Sequence, residues 1–365
     1  MTAILSTNGV GTLFSSEPPR KLLVATTEGA AVLERKGLGD PWMHTGQVLT
    51  DRHISALMVV GNGSIFAAAH NGGLFRSDDD GMTWESIGDD ITMPQVYSLG
   101  VRELEDGAVL YAGTEPVGLF ESRDNGATWA ELPAIKSVPG HERWSFPPPP
   151  HDAHTKSFLF DLRHPDTFYV TIEQGALLKT EDGGQSWREL DEFSRPDDEW
   201  YKDVHRLISL PSDPDEIYML TGIGLYCSQD AGETWQRRTD QSFRIGYPDQ
   251  LILSPQDERL MFMCGAGGNP TTWRKSHRAD GWVMRTRDGG RSWEEANKGL
   301  PVMAKSNIEA FSACCYPGGY ELYAGNTDGE IYSSDDDGET WTRIAEALRP
   351  VSKGTHYRVI ANSAA

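Results

Sequence analysis

Four histidines, His53, His154, His205 and His356, stand at or near the start of short apolar runs that are far apart in the chain. Brought to one point, four imidazoles would hold a divalent ion such as Zn, Fe, Mn or Cu. Glu28, His70, Glu115 and Glu173 fall one strand further on, in turns. From there a side chain can accept the second ring N–H of a ligating histidine and fix its tautomer. Asp203, Asp249 and Glu309 share the strand-start positions and offer a chemistry without metal, an acid–base carboxylate pair of the kind used in glycoside hydrolysis. Lys156, Arg206, Tyr247 and Arg274 are neighbouring groups suited to holding a polar substrate.

The elements that must position these residues are set by a repeat. The pattern Ser/Thr-x-Asp-x-Gly-x-Thr/Ser-Trp ends at Trp84, Trp129, Trp187, Trp235, Trp293 and Trp341. A recurrence of this length matches one four-stranded blade and predicts a β-propeller. Within each copy the Asp side chain is suited to bond backbone N–H groups of a tight turn, and the Gly to take a positive φ. The Trp supplies a large apolar anchor between strands or blades.

The expected fold is all-β: a single seven-bladed propeller spanning residues 1–365, with six boxes. The blades are expected at about 21–47 (completed by 356–361), 51–90, 94–133, 151–191, 202–240, 247–297 and 306–345. The first blade has no box and no inner strand of its own, so the run His356–Ile360 is expected to supply one and close the ring, removing free sheet edges. Box turns join the third and fourth strands, so the starts of the inner strands lie on the opposite face, around the axis. This is the geometry that would gather the histidines and carboxylates. Two segments break the period, 134–153 and 265–282, and both are expected on that same face, where long loops on a rigid scaffold carry function.

The box residues resemble those of the Asp-box (BNR) repeat families, over roughly residues 20–361. These include sialidases, xyloglucan-hydrolysing glycosidases, sortilin-type receptor domains and a photosystem assembly factor. The resemblance implies the fold; in those families the box lies away from the active site. The sialidase Phe-Arg-Ile-Pro motif has its nearest match in Phe243-Arg244-Ile245-Gly246, which lacks the Pro and sits between the fourth and fifth boxes. The axial histidines with outer glutamates are similar in arrangement to the carotenoid-cleaving oxygenases, whose sequence motifs are absent here.

The net charge of −21 argues against nucleic acid and anionic membranes as partners. Cys227, Cys264, Cys314 and Cys315 form no metal-binding or disulfide pattern and are expected as reduced thiols. No basic-then-apolar leader and no apolar run of spanning length is present, which sets the expectation of a cytoplasmic protein. The leading functional expectation is a metal-dependent enzyme (hydrolase, lyase or oxygenase type) with a histidine-bound divalent metal, acting on a small molecule at the channel mouth. The alternatives are an Asp-box glycoside hydrolase and a non-catalytic binding or assembly propeller with a protein partner.

Overall fold

In the computed structural model, seven sheets form the ring, as the repeats imply. The structure describes residues 1–104, 107–147, 149–193, 202–240, 242–302, 305–354 and 356–361. Blades two to seven begin with the strands Ile54–Val59, Gln95–Leu104, Thr155–Phe160, Val204–Ser209, Tyr247–Leu253 and Ile308–Tyr316. Each is followed by three antiparallel strands running outward. Among the described residues no helix is long and apolar enough to cross a membrane.

The box turns explain their own residues. In the first, Asp79 Oδ1 accepts the N–H groups of Met82 (3.0 Å) and Thr83 (2.8 Å), and Oδ2 accepts the Thr83 hydroxyl (2.6 Å). Ser77 Oγ donates to Asp79 and accepts Gly81 N–H at 2.9 Å. Asp80 and Gly81 are both left-handed, with φ of 58° and 80°. The bonds of Asp79 hold its carboxyl down at about 2, those from Thr83 foremost. The same set recurs at Asp124, Asp182, Asp230, Asp288 and Asp336.

The ring closes differently from the sequence expectation. The inner strand of blade one is Thr2–Leu5, paired parallel to Lys21–Thr26. Short helices α1 (Pro270–Ser276) and α2 (His356–Ala361) lie outside the sheets, so the run beginning at His356 is helical and not a strand. Thr2–Leu5 is buried throughout, so its apolar side chains gain more from the inner position than the charged run His356–Arg358 would. A second closing contact joins blades one and seven. Arg35 makes a two-pronged bond to Glu321 (2.7 and 2.5 Å), both groups are buried, and the guanidinium lies over Trp42.

After the closing strand, residues 6–11 enter the channel, and Thr12–Phe14 then pairs with blade seven. Thr7 and Asn8 bond Ser55 of blade two; Gln250 of blade six donates to Thr7 O; Arg206 of blade five donates to Gly9 O; Ala313 of blade seven donates to Gly11 O. A side chain at position 9 would meet Leu57 O at 2.1 Å, so only glycine lets this plug sit so close to blade two.

Candidate functional site

One backbone device builds the hub. Every inner strand from blade two to blade seven carries a β-bulge near its start, and the residues at the register breaks are Ser55, Tyr97, Lys156, His205, Asp249 and Glu309. A bulge re-aims one side chain and interrupts the ladder. Here it adds a polar residue at each break, while His53, Gln95, His154, Asp203, Tyr247 and Asn307 stand two positions earlier. The result is a polar ring closed below by the plug.

Around this ring the charges pair across blades. His154 Nε2 lies 2.7 Å from Glu173 Oε2, which also takes Lys156 Nζ at 2.6 Å; the other ring nitrogen of His154 faces Glu115 at 3.2 Å. Burial would raise the pKa of Glu173, but the Lys156 and Lys353 ammoniums and His154 hold it well below the usual range. Asp249 binds Lys353 Nζ and accepts from Asn307 at 2.7 Å. Glu309 accepts from Lys353 N–H (2.8 Å) and Ser352 Oγ (3.2 Å) and faces His356 Nδ1 (3.1 Å). Its burial is outweighed by His356 and Lys353, which set its pKa at about 2.

His205, like His154, keeps one ring nitrogen without a hydrogen bond. Its Nδ1 lies 2.6 Å from Pro248 O, which can only accept, so Nδ1 carries a hydrogen and Nε2 is the free position of the ring. That Nε2 faces Asp203 Oδ1 at 3.3 Å and Glu173 Oε1 at 3.8 Å. His205 Nε2 and Asp203 Oδ1 are both buried without a hydrogen-bond partner. Among the described residues, Glu173, Asp203 and His205 are the set whose donor atoms come within metal-binding reach of one another, all within 4.8 Å.

The sequence expectations therefore divide. The four histidines do not meet. His154 and His205 both face Glu173, whereas His53 Nε2 bonds Ser352 O (2.9 Å) and His356 faces Glu309 from α2. The cause is the segment after the last blade, which lies across the hub and supplies His53 and Glu309 with local partners. His70 packs between His53 and Tyr97, tilted to the first ring and edge-on to the second, rather than behind a ligand. Glu115 and Glu173 do flank a histidine, but Glu28 is exposed and paired with Arg349. Asp249 and Glu309 are not an open acid–base pair, since Lys353 and His356 occupy them. Among the substrate-holding candidates, Lys156 is bound to Glu173, and Tyr247 lies under the Lys353 ammonium at 5.2 Å. Arg206 clamps the plug through Gly9 O and Gln250 Oε1, and Arg274 is exposed on α1.

Lys353, Ser352 and Asn307 were not foreseen. Asn307 had a signal, since it precedes Glu309 by the spacing that separates His154 from Lys156. Lys353, in a Ser-Lys-Gly loop beyond the last blade, had none. Both long loops do reach the hub face. Phe146 packs edge-on to His154, and Trp273 of α1 packs edge-on to Tyr247 and His356.

Comparison with known proteins places the architecture. A xyloglucanase of a Paenibacillus species is 26% identical over 212 residues, covering 51% of this chain and 20% of the enzyme, so the chain spans about a fifth of that relative's length. The GH74 enzyme of Niastella koreensis superposes with a TM-score of 0.64 at 16% identity, covering 95% of this chain and 55% of that one. YCF48 from Cyanidioschyzon merolae superposes at 0.60 with 15% identity, covering 89% and 95%. These structural likenesses establish a fold that enzymes and other propellers share. The model of the DUF6242 beta propeller domain matches residues 143–362, more than half of the sequence, and the chain belongs to that family.

Proposed function

We propose that this propeller is a metal-dependent enzyme acting on a small polar molecule at the hub, with one divalent cation held by Glu173, Asp203 and His205. The observation that carries the reading is His205 Nε2, buried without a hydrogen-bond partner beside two carboxylate oxygens. Two anionic oxygens repel one another in a low-dielectric site unless a positive centre lies between them. One imidazole and two carboxylates suit a borderline or hard divalent ion, and their charge balances it. When bound, the ion would supply Lewis-acid polarisation or an activated water. The chain's own groups do the remainder. Pro248 O orients His205 through Nδ1, Lys156 and His154 hold Glu173 by its other oxygen, and the plug excludes water from below.

Elemental analysis of tag-free protein tests this. About one equivalent of metal is expected, with loss of that metal in His205→Ala and Asp203→Asn while the fold is retained. Metal-free wild type, or equal metal in both variants, would end the proposal.

A second reading is a non-catalytic binding propeller. It is favoured by the plug and the covering segment, which fill both ends of the channel. Glycoside hydrolysis by Asp249 and Glu309 fares worse. A general acid must be protonated near neutral pH, and Glu309 is held at about 2.

A further inference from the structure

The segment after the last blade is anchored on both sides of the hub. Leu348 N–H donates to Gly329 O, Val351 N–H donates to Asn326 O, and both side chains are buried in the seam of blades one and seven. Beyond Val351, Ser352 and Lys353 run over the polar ring, and Ile360 of α2 is buried again beside Tyr247 and Trp273. A side chain at Gly354 would have open space around it.

What the hub does to these two residues is peptide recognition. The Lys353 ammonium is 4% exposed, bonded to Asp249 and set over the face of Tyr247. Its backbone N–H is taken by Glu309 at 2.8 Å, and its carbonyl by the Tyr97 hydroxyl at 3.2 Å. The Ser352 carbonyl is taken by His53 at 2.9 Å and its hydroxyl by Glu309 at 3.2 Å. Donors and acceptors of the main chain are thus read together with a cationic side chain. The readers come from blades two, three, six and seven. An ion pair added only to close a ring needs no such reading of the backbone. A carboxylate with an aromatic face is the chemistry that selects a primary ammonium.

We infer that the hub is a binding site for primary ammonium groups borne on a peptide, that is, for lysyl segments, and that Ser352–Lys353 fills it in cis. A lysine-bearing segment of another chain would enter by displacing residues 352–361, with Val351 as the fixed end. The Asp249–Glu309–Tyr247 side of the hub that does this adjoins the Glu173–Asp203–His205 set, Tyr247 packing on His205, but shares no residue with it. The inference therefore stands or falls without the cation.

The test labels the cover. On a Cys315→Ser background, Arg358→Cys, exposed on α2, carries a fluorophore whose anisotropy reports release of the segment. The probes are the peptide acetyl-Val-Ser-Lys-Gly-amide, the same peptide with norleucine in place of lysine, and n-butylammonium. The lysyl peptide is expected to lower the anisotropy in the millimolar range and the norleucine peptide to have no effect. Lys353→Ala is expected to bind the lysyl peptide at least tenfold more tightly in calorimetry. A response to butylammonium equal to that of the lysyl peptide would overturn the peptide part of the inference, leaving free amines as the occupants. Equal responses to lysyl and norleucine peptides, or binding in neither protein, would overturn it entirely. The labelled parent chain decides between these outcomes even if Lys353→Ala does not fold.

Discussion

The two faces of this propeller solve the same problem, an interrupted strand ladder, in opposite ways. On the box face each interruption is a turn that satisfies itself: Ser or Thr, Asp and Gly bond one another within five residues, six times over. On the hub face each interruption is a bulge whose polar residue finds its partner on another segment, and no two bulges carry the same residue. Local satisfaction makes a repeat that survives in isolation, exposed to water. Non-local satisfaction makes a single buried network in which groups depend on several chain segments, and His205 Nε2 is left in it without a partner.

The contrast can be broken most severely at Glu173. Replacing it by Leu leaves Lys156 and His154 buried without their shared anion, and a loss of about 3–5 kcal/mol is expected in denaturant unfolding. A loss below about 1 kcal/mol would show that the network relaxes and is no more cooperative than the boxes.

Acid separates the faces next. Glu309 sits at about 2 in the fold against 4.5 for an ordinary Glu, so protons bind the unfolded chain first. The stability it contributes is fully present above about 4.5 and is lost as pH falls from there towards about 2. Glu309→Gln should flatten the stability profile across that window, with little change in its slope above about pH 5. An unchanged acid limb would assign acid unfolding to the other lowered carboxylates, those of the boxes and Glu173.

The smallest effect is expected from a box. Asp336→Ala removes bonds to Ser334, the Thr340 N–H and the Thr340 hydroxyl in a partly solvated turn, where water replaces them. The expected loss is about 1–2 kcal/mol, with peptide binding and metal content at the hub unaltered. Any change in either would couple the two faces.

The boxes were legible because their bonds run between near neighbours in sequence; a residue's role at Asp79 or Gly81 is decided within the turn. The positions of the inner strands followed from the same repeat, and with them the gathering of His154, His205, Glu115, Glu173, Asp203, Asp249 and Glu309 near the axis. The partner of each was not legible. Whether Glu309 would face a metal ligand, a substrate or Lys353 depended on where a segment outside the repeat came to rest. Glu28 and Arg274 shared the composition of a site but lie at turn and helix positions that face water.

The closing strand shows the same division. The run from His356 was expected at the empty inner edge of blade one, and Thr2–Leu5 takes that place. Local pattern did not choose between them, because either could extend along a strand. Burial chose: the inner edge is enclosed on all sides, and an uncharged segment loses less there than one carrying His356 and Arg358. Sequence alone determined a seven-bladed wheel with six self-contained turns, since periodic short-range bonds need no knowledge of the rest of the chain. Tertiary structure alone decided which charges neutralise which at the hub, since that depends on the two non-repeating ends meeting at the axis, one as a plug and one as a cover.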